Sequence, residues 1–176
     1  MIEQDKKITT PLTDKVIKEL HAGDRVLISG TIFVARDAAH RLMIEALNKN
    51  EPLPFDPLGQ IIFYAGPTPP RPGETIGVVG PTTSGRMDAY TIPLLKAGLK
   101  GMIGKGQRSP EVSAALSQYQ AVYFVATGGI AALLKKRIKS AKVTAYKELG
   151  PEAVQELIVE DFPVIVANDI FGGNVF

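Results

Sequence analysis

A chain of 176 residues that is 45% apolar and 22% charged, with a net charge of +2, is long enough for one domain with a real core, read here as residues 1–176, and too near neutral to need nucleic acid as a partner. It has no cysteine, which excludes disulfides, a thiol nucleophile and thiolate ligation of iron or zinc; two histidines, His21 and His40, are too few for an all-protein metal cage, so a metal that takes part must come with another chain. No run approaches the ~18 to 20 apolar residues of a membrane span and the first residues lack the apolar core of a signal peptide, so no membrane partner and a cytoplasmic location are expected.

In chain order, Thr13 is placed to cap a short amphipathic helix, Asp14 to Leu20, with Val16, Ile17 and Leu20 on one side. His21 falls in the turn that follows and reads as a surface residue. Arg25 to Val34 is rich in β-branched residues and predicts a long strand, or a hairpin bent at Gly30. A helix follows from Ala35 to Leu47. Arg36 stands at this strand-to-helix junction and His40 lies one helical turn on, so both side chains can point the same way. Histidine is the side chain whose ordinary pKa permits proton transfer near neutral pH; the alternative is a helix-surface histidine bonded to Asp37 or to a carbonyl. Asp37 itself suits the positive end of the helix dipole.

Prolines stiffen the segments on both sides of a strand spanning Gln60 to Ala65. The central stretch then predicts a strand from Thr75 to Val79, a loop of Gly, Pro and hydroxyls, and a helix with Met87, Tyr90, Leu94 and Leu95 on its apolar side. In that loop Thr82, Thr83 and Ser84 precede Gly85 and a lone cation, Arg86. Arginine is disfavoured in the first turn of a helix by the dipole. Backbone N–H groups, hydroxyls and a guanidinium together make a receptor for an anion, most naturally a carboxylate gripped by two hydrogen bonds. The plainer alternative has Ser84 capping the helix and Arg86 in solvent.

The pattern recurs at Lys105, which lies between two glycines after the strand Gly101 to Gly104. Ser109 and Pro110 there mark the start of a helix running to Tyr119. A further strand, Ala121 to Ala126, leads through Thr127-Gly128-Gly129 to a helix from Ile130 to Ile138. The tail predicts a strand from Lys142 to Tyr146, a short helix from Gly150 to Ile158 and a last strand from Phe162 to Asp169. Strands alternating with helices behind a strand-rich first half predict an α/β fold, a three-layer β/β/α domain with a parallel or mixed central sheet.

The segments GTIFVARDAAH, YAGPTPPRPGE, GPTTSGRMD, GKGQRS, the TGG turn and VEDFP together resemble the iron-sulfur-dependent class I fumarases, in particular the separate β subunit equivalent to the C-terminal domain of the single-chain enzymes. L-tartrate dehydratase β subunits are close relatives, and Gly85 between Ser84 and Arg86 points to the fumarase side. The resemblance runs over nearly the whole chain. It implies a swivelling β/β/α domain, and a 4Fe-4S cluster carried by an α subunit whose iron acts as Lewis acid on the leaving hydroxyl. It also implies a small dicarboxylate substrate and assembly as a homodimer or heterotetramer. By motif, the substrate-holding cations are Arg36, Arg86 and Lys105, with Asp37 beside them. Thr82 matches the threonine proposed as base at C3 of malate, and His40 is the conventional alternative for proton transfer. The implied reaction is reversible dehydration of L-malate to fumarate, with tartrate as the near alternative and a non-catalytic anion-binding domain as the reading from another class. A site split between subunits requires Arg36, Thr82, Arg86 and Lys105 to meet on one open cleft at the carboxyl ends of their strands, with His40 near its rim.

Overall fold

The computed structural model describes residues 4–126 and 131–176. Its elements, in order, are β1 (Lys6–Thr9), α1 (Asp14–Lys18), β2 (Arg25–Val34), α2 (Asp37–Asn48), β3 (Ile61–Phe63), α3 (Asp88–Lys96), β4 (Gly101–Gly104), α4 (Pro110–Tyr119), β5 (Val122–Val125), α5 (Ala131–Arg137), β6 (Ile138–Ala145) and β7 (Val154–Asn168), with 3-10 turns at Ser84–Met87 and Lys147–Glu152. The fold is α/β with a mixed seven-stranded sheet, ordered β1-β2-β3-β4-β5-β7-β6. β1 through β5 are parallel neighbours, whereas β7 runs antiparallel to β5, β6 and β2. Because β7 pairs with both β2 and β5, the strands β2-β3-β4-β5-β7 close into a ring.

The helix starts follow from their caps. Thr13 Oγ1 accepts from Val16 N at 3.3 Å, and Ser109 Oγ accepts from Val112 N at 3.2 Å with Pro110 in the first turn. β2 continues through Gly30 as one strand. Gly30 lies at φ 113, and a side chain there would strike Thr10; the ladder to β7 shifts register at this point, where Asp161 takes a φ of 49.

Alternation along β3, β4 and β5 divides the core in two. One face presents Ile61, Phe63, Ile103 and Phe124 to residues of β2 and β7 such as Ile32 and Phe162. The other presents Ile62, Tyr64, Met102 and Tyr123 to Met43 of α2, Leu94 and Leu95 of α3, and Leu116 of α4. Each fully buried large side chain of this kind contributes roughly 1.5–3 kcal/mol, and both faces carry several.

Two expected elements are absent. Residues 75–79 form no strand: Thr68 donates to the Val78 carbonyl at 3.0 Å and accepts from Val78 N at 2.8 Å, and the pairing goes no further. Pro67, Pro69, Pro70 and Pro72 leave the opposing segment without the donors a ladder needs. Only Ile76 and Val79 reach the core, and Val78 is exposed. The helix expected over residues 150–158 is instead the 3-10 turn followed by β7. Along β7 the buried residues are Val154, Leu157, Val159, Phe162, Val164 and Val166. Steps of three at 154–157 and 159–162 imitate helical spacing, and the second step coincides with the bulge. β6 also begins at Ile138, earlier than expected, directly out of α5. The Thr127-Gly128-Gly129 turn lies outside the described residues.

Candidate functional site

Parallel neighbours β2, β3 and β4 end at one edge of the sheet, and two of the three exits carry a cation singled out above. Arg36 follows β2, Gly66 follows β3, and Lys105 follows β4. Ala35 N donates to the Phe63 carbonyl at 3.2 Å and Tyr64 N to the Ile103 carbonyl at 2.8 Å, which holds these exits in step. Residues 82–84 are then laid across the same edge. Thr82 N donates to the Tyr64 carbonyl at 2.7 Å, Lys105 N donates to the Thr82 carbonyl at 3.2 Å, and Ser84 N donates to the Lys105 carbonyl at 2.9 Å. Thr82 and Lys105 are thus adjacent by backbone pairing, although no strand precedes the loop that carries Thr82.

The charged groups at this edge are oriented by one another. Arg36 packs against Gly66 so closely that a Cβ there would fall 2.4 Å from its guanidinium carbon. Its Nε lies 3.5 Å from Glu152 Oε1, too poorly aligned to count as a hydrogen bond, so this nitrogen is buried with no hydrogen-bond partner among the described residues. Arg86 grips Asp37 with two hydrogen bonds, Nε to Oδ1 at 3.1 Å and Nη2 to Oδ2. That pair ties the 3-10 turn at Ser84–Met87 to the first residue of α2. Lys105 is exposed. Arg36, Asp37, Thr82, Arg86 and Lys105 therefore belong to one edge, where three cations lie beside one carboxylate.

His40 is placed differently. It is fully buried beneath that edge, its ring 5.4 Å from the ring of Tyr64 and 6.0 Å from that of Tyr90. The side of α2 that carries it faces the sheet, with Ala39 and Met43, so the rim position expected from helical spacing is not where the fold puts it. Nδ1 lies 2.9 Å from the Arg36 carbonyl; a carbonyl only accepts, so Nδ1 carries the proton and Nε2 is left to accept. Burial pushes the His40 pKa down to about 4, partly opposed by that hydrogen bond and reinforced by the Arg108 charge. The imidazole is neutral at pH 7, and it braces the residue that carries the Arg36 guanidinium.

Beneath the exposed cations lies a polar layer that local sequence patterns did not single out. The Arg108 side chain is fully enclosed. Its Nε donates to Asp88 Oδ1 at 2.7 Å, its Nη2 donates to Thr91 Oγ1 at 2.7 Å, and its guanidinium sits 5.3 Å and 4.9 Å from the ring centres of Tyr64 and Tyr123. Asp88 Oδ2 accepts from Ser109 N at 2.8 Å. The Tyr123 hydroxyl is 2.7 Å from both Ser84 Oγ and the Gly106 carbonyl. It has one proton, which the carbonyl must receive, so Ser84 donates to Tyr123. Ser84 is thus a buried link and caps no helix. Burial pushes the Tyr123 pKa up to about 12. Gly104 makes the packing possible, since a Cβ there would collide with Ser84 Oγ. The sequence signal for this layer was that Asp88 ends the loop motif GPTTSGRMD and Arg108 stands next to last in GKGQRS.

Surface cavities open elsewhere: one of about 560 Å³ is lined by Ile76, Lys135 and Lys139, and one of about 390 Å³ by Lys6, Val16 and Leu20. Among the described residues no three His, Asp or Glu side chains are grouped to hold a metal. With no cysteine anywhere in the sequence, this chain's residues do not fit an iron-sulfur cluster. No helix among the described residues is long and apolar enough to cross a membrane.

The family model described as Fumarase C-terminus matches residues 3–176. A Methanocaldococcus jannaschii protein with the provisional name L(+)-tartrate dehydratase subunit beta is 42% identical, over 94% of this chain and 88% of its own length. The aerobic class I fumarate hydratase of Escherichia coli K12 is 40% identical over 86% of this chain, and the L(+)-tartrate dehydratase subunit beta of the same organism is 31% identical over 97%. The chain spans 86% of that second protein but only 28% of the fumarate hydratase.

Proposed function

The chain belongs to the Fumarase C-terminus family, and from that premise we propose that it is the β subunit of a two-subunit hydro-lyase that reversibly dehydrates L-malate to fumarate. The observation that supports this most is the two-pronged grip of Arg86 on Asp37. A guanidinium at the open edge already holds a carboxylate in the geometry that a dicarboxylate substrate would take.

In this reading Arg36, Arg86 and Lys105 bind the two substrate carboxylates, and the excess charge of the acid that loses its C3 proton is stabilised by the same cations. Thr82 receives that proton. A free threonine hydroxyl is far too weakly acidic for the task, so a neighbouring cation must favour the alkoxide, and Lys105, whose backbone N–H donates to the Thr82 carbonyl, is the candidate. His40 is kept from direct exchange with substrate by its burial and contributes by holding the Arg36 backbone. The cluster belongs to an α subunit, in keeping with a chain that has no thiolate to offer.

The two cores, one on each side of the β3-β4-β5 strands, support a three-layer β/β/α domain of the swivelling kind, which would carry the cations onto the partner's site. A cytoplasmic homodimer or heterotetramer is the assembly proposed. L-Tartrate is the second reading, because both tartrate dehydratase β subunits are matched over more than 85% of their lengths.

Reconstitution with a cluster-bearing α subunit tests the proposal. Fumarate hydration should appear only in the complex, and Arg86→Lys, which keeps the charge but loses the planar fork, should lower kcat/KM by ~10-fold or more. Turnover by the isolated chain would overturn the half-enzyme reading. A complex active on L-tartrate alone would transfer the assignment to the tartrate enzymes.

A further inference from the structure

The loop that carries Arg86 follows a segment with no strand, the loop that carries Lys105 follows β4, and three links join them. The first is the backbone pairing of residues 82–84 with Lys105, which is open to the surface at Thr83 and Lys105. The other two are buried: Arg108 bonded to Asp88, and Tyr123 bonded to both Ser84 and Gly106. Asp88 begins α3 two residues after Arg86, and Arg108 follows Lys105 by three. Each buried link therefore spans from one cation's loop to the other's.

The choice of residues is informative. A guanidinium enclosed between two tyrosine rings costs desolvation that an apolar side chain of similar volume would avoid, so a purely structural plug has no need of the charge. What the guanidinium adds is direction: its planar fork fixes Asp88 Oδ1 and Thr91 Oγ1 at once, and Thr91 Oγ1 in turn donates to the Met87 carbonyl at 2.9 Å. Met87 is the residue next to Arg86. Three bonds thus lock the backbone directly after one cation to the loop of the other.

We infer that Arg108 is a positioning residue for the reaction: through Asp88, Thr91 and the Tyr123 hydroxyl beside it, it sets the separation of Arg86 and Lys105. This rests on the hydro-lyase reading for its consequence in catalysis, and on this chain alone for the coupling of the loops. Two carboxylates on a short carbon skeleton are a fixed distance apart, so the clamp that receives them must be fixed as well.

The test pairs Arg108→Met with Asp88→Asn. This exchange removes both charges, fills the space between the rings and leaves an oxygen to accept from Ser109 N. In the isolated chain, melting temperature should stay within a few degrees of the parent, while amide hydrogen exchange at residues 83–86 and 105–107 rises at least tenfold. In the complex with the α subunit, kcat/KM should fall tenfold or more with the pH profile unshifted, and Arg108→Lys should not restore it. Tyr123→Phe, which removes one hydroxyl and no volume, should raise exchange at Ser84 and Gly106 and decides the matter if the double variant does not fold. Unchanged loop exchange, or full activity in a stable double variant, overturns the inference. If the parent complex turns over neither malate nor tartrate, the functional reading fails, and the exchange experiment still decides whether Arg108 couples the loops.

Discussion

Arg86 and Arg108 both pair with an aspartate through their Nε atoms, yet the surroundings of the two pairs differ. Arg86 and Asp37 keep 53% and 34% of their side chains in solvent, whereas Arg108 keeps none and Asp88 17%. An exposed pair gains little because water and salt screen it and two long side chains must be held still. A buried pair has lost its hydration, and neither partner can be removed without stranding the other. The edge of the sheet thus has an exposed upper layer and an enclosed lower layer, and the proposal gives the lower one the task of fixing where the upper one stands.

The strongest break in that comparison is Asp88→Ala, which leaves the Arg108 charge enclosed with no counter-ion. It should destabilise the isolated chain by about 3–5 kcal/mol, read from urea denaturation. A loss below ~1 kcal/mol, the range of an exposed pair, would show that water reaches Arg108 and that the two layers are not distinct.

The upper layer was legible in the sequence and the lower one was not, for a physical reason. Arg36, Arg86 and Lys105 stand out by position, Arg36 at a strand-to-helix junction and the other two as lone cations in glycine- or hydroxyl-rich connections. Burial of Arg108, Tyr123 and His40 is decided by tertiary packing between α2, α3 and the β3-β4-β5 strands, and no local spacing encodes it. His40 shows the limit: its helical offset from Arg36 was right, but the offset could not say that this side of α2 faces the sheet. The same holds for the fold. Caps at Thr13 and Ser109 located α1 and α4 because capping is local chemistry. The strand expected at residues 75–79 is missing because its proline-rich neighbour lacks donors, and the helix expected at 150–158 is missing because Val154 and Leu157, buried three apart in β7, imitate helical spacing.

His40 gives a second break, in acid. Its pKa in the folded chain, about 4, lies below the ordinary value of 6.5, so between these limits the unfolded chain binds the proton and the folded one does not. Stability therefore rises with pH across that window and is fully present above pH 6.5. Acidification from 6.5 to 4 should remove about 3 kcal/mol through this one group. His40→Phe keeps a ring between Tyr64 and Tyr90 and abolishes the titration, so its stability should be nearly level over the same range apart from the carboxylates. A variant with the parental slope would place the acid sensitivity elsewhere and make His40 accessible to water.

The smallest expected effect sharpens the comparison from the other side. Asp37→Asn removes the carboxylate from the Arg86 fork while keeping a side chain of the same shape. With Arg86 exposed and Asp37 half-exposed, the change in stability should lie within about 1 kcal/mol, at most a third of that for Asp88→Ala. Its effect on substrate is the informative part. Asp37 occupies the two donors that a substrate carboxylate would need, so in the reconstituted complex each binding event must first displace it. Removing that competitor should lower KM while kcat stays close to parental, because the lower layer, and not Asp37, sets the position of the loop that carries Arg86. If KM instead rises and kcat falls together at unchanged stability, Asp37 is aiming the guanidinium at substrate, and part of the positioning assigned to Arg108 belongs in the upper layer.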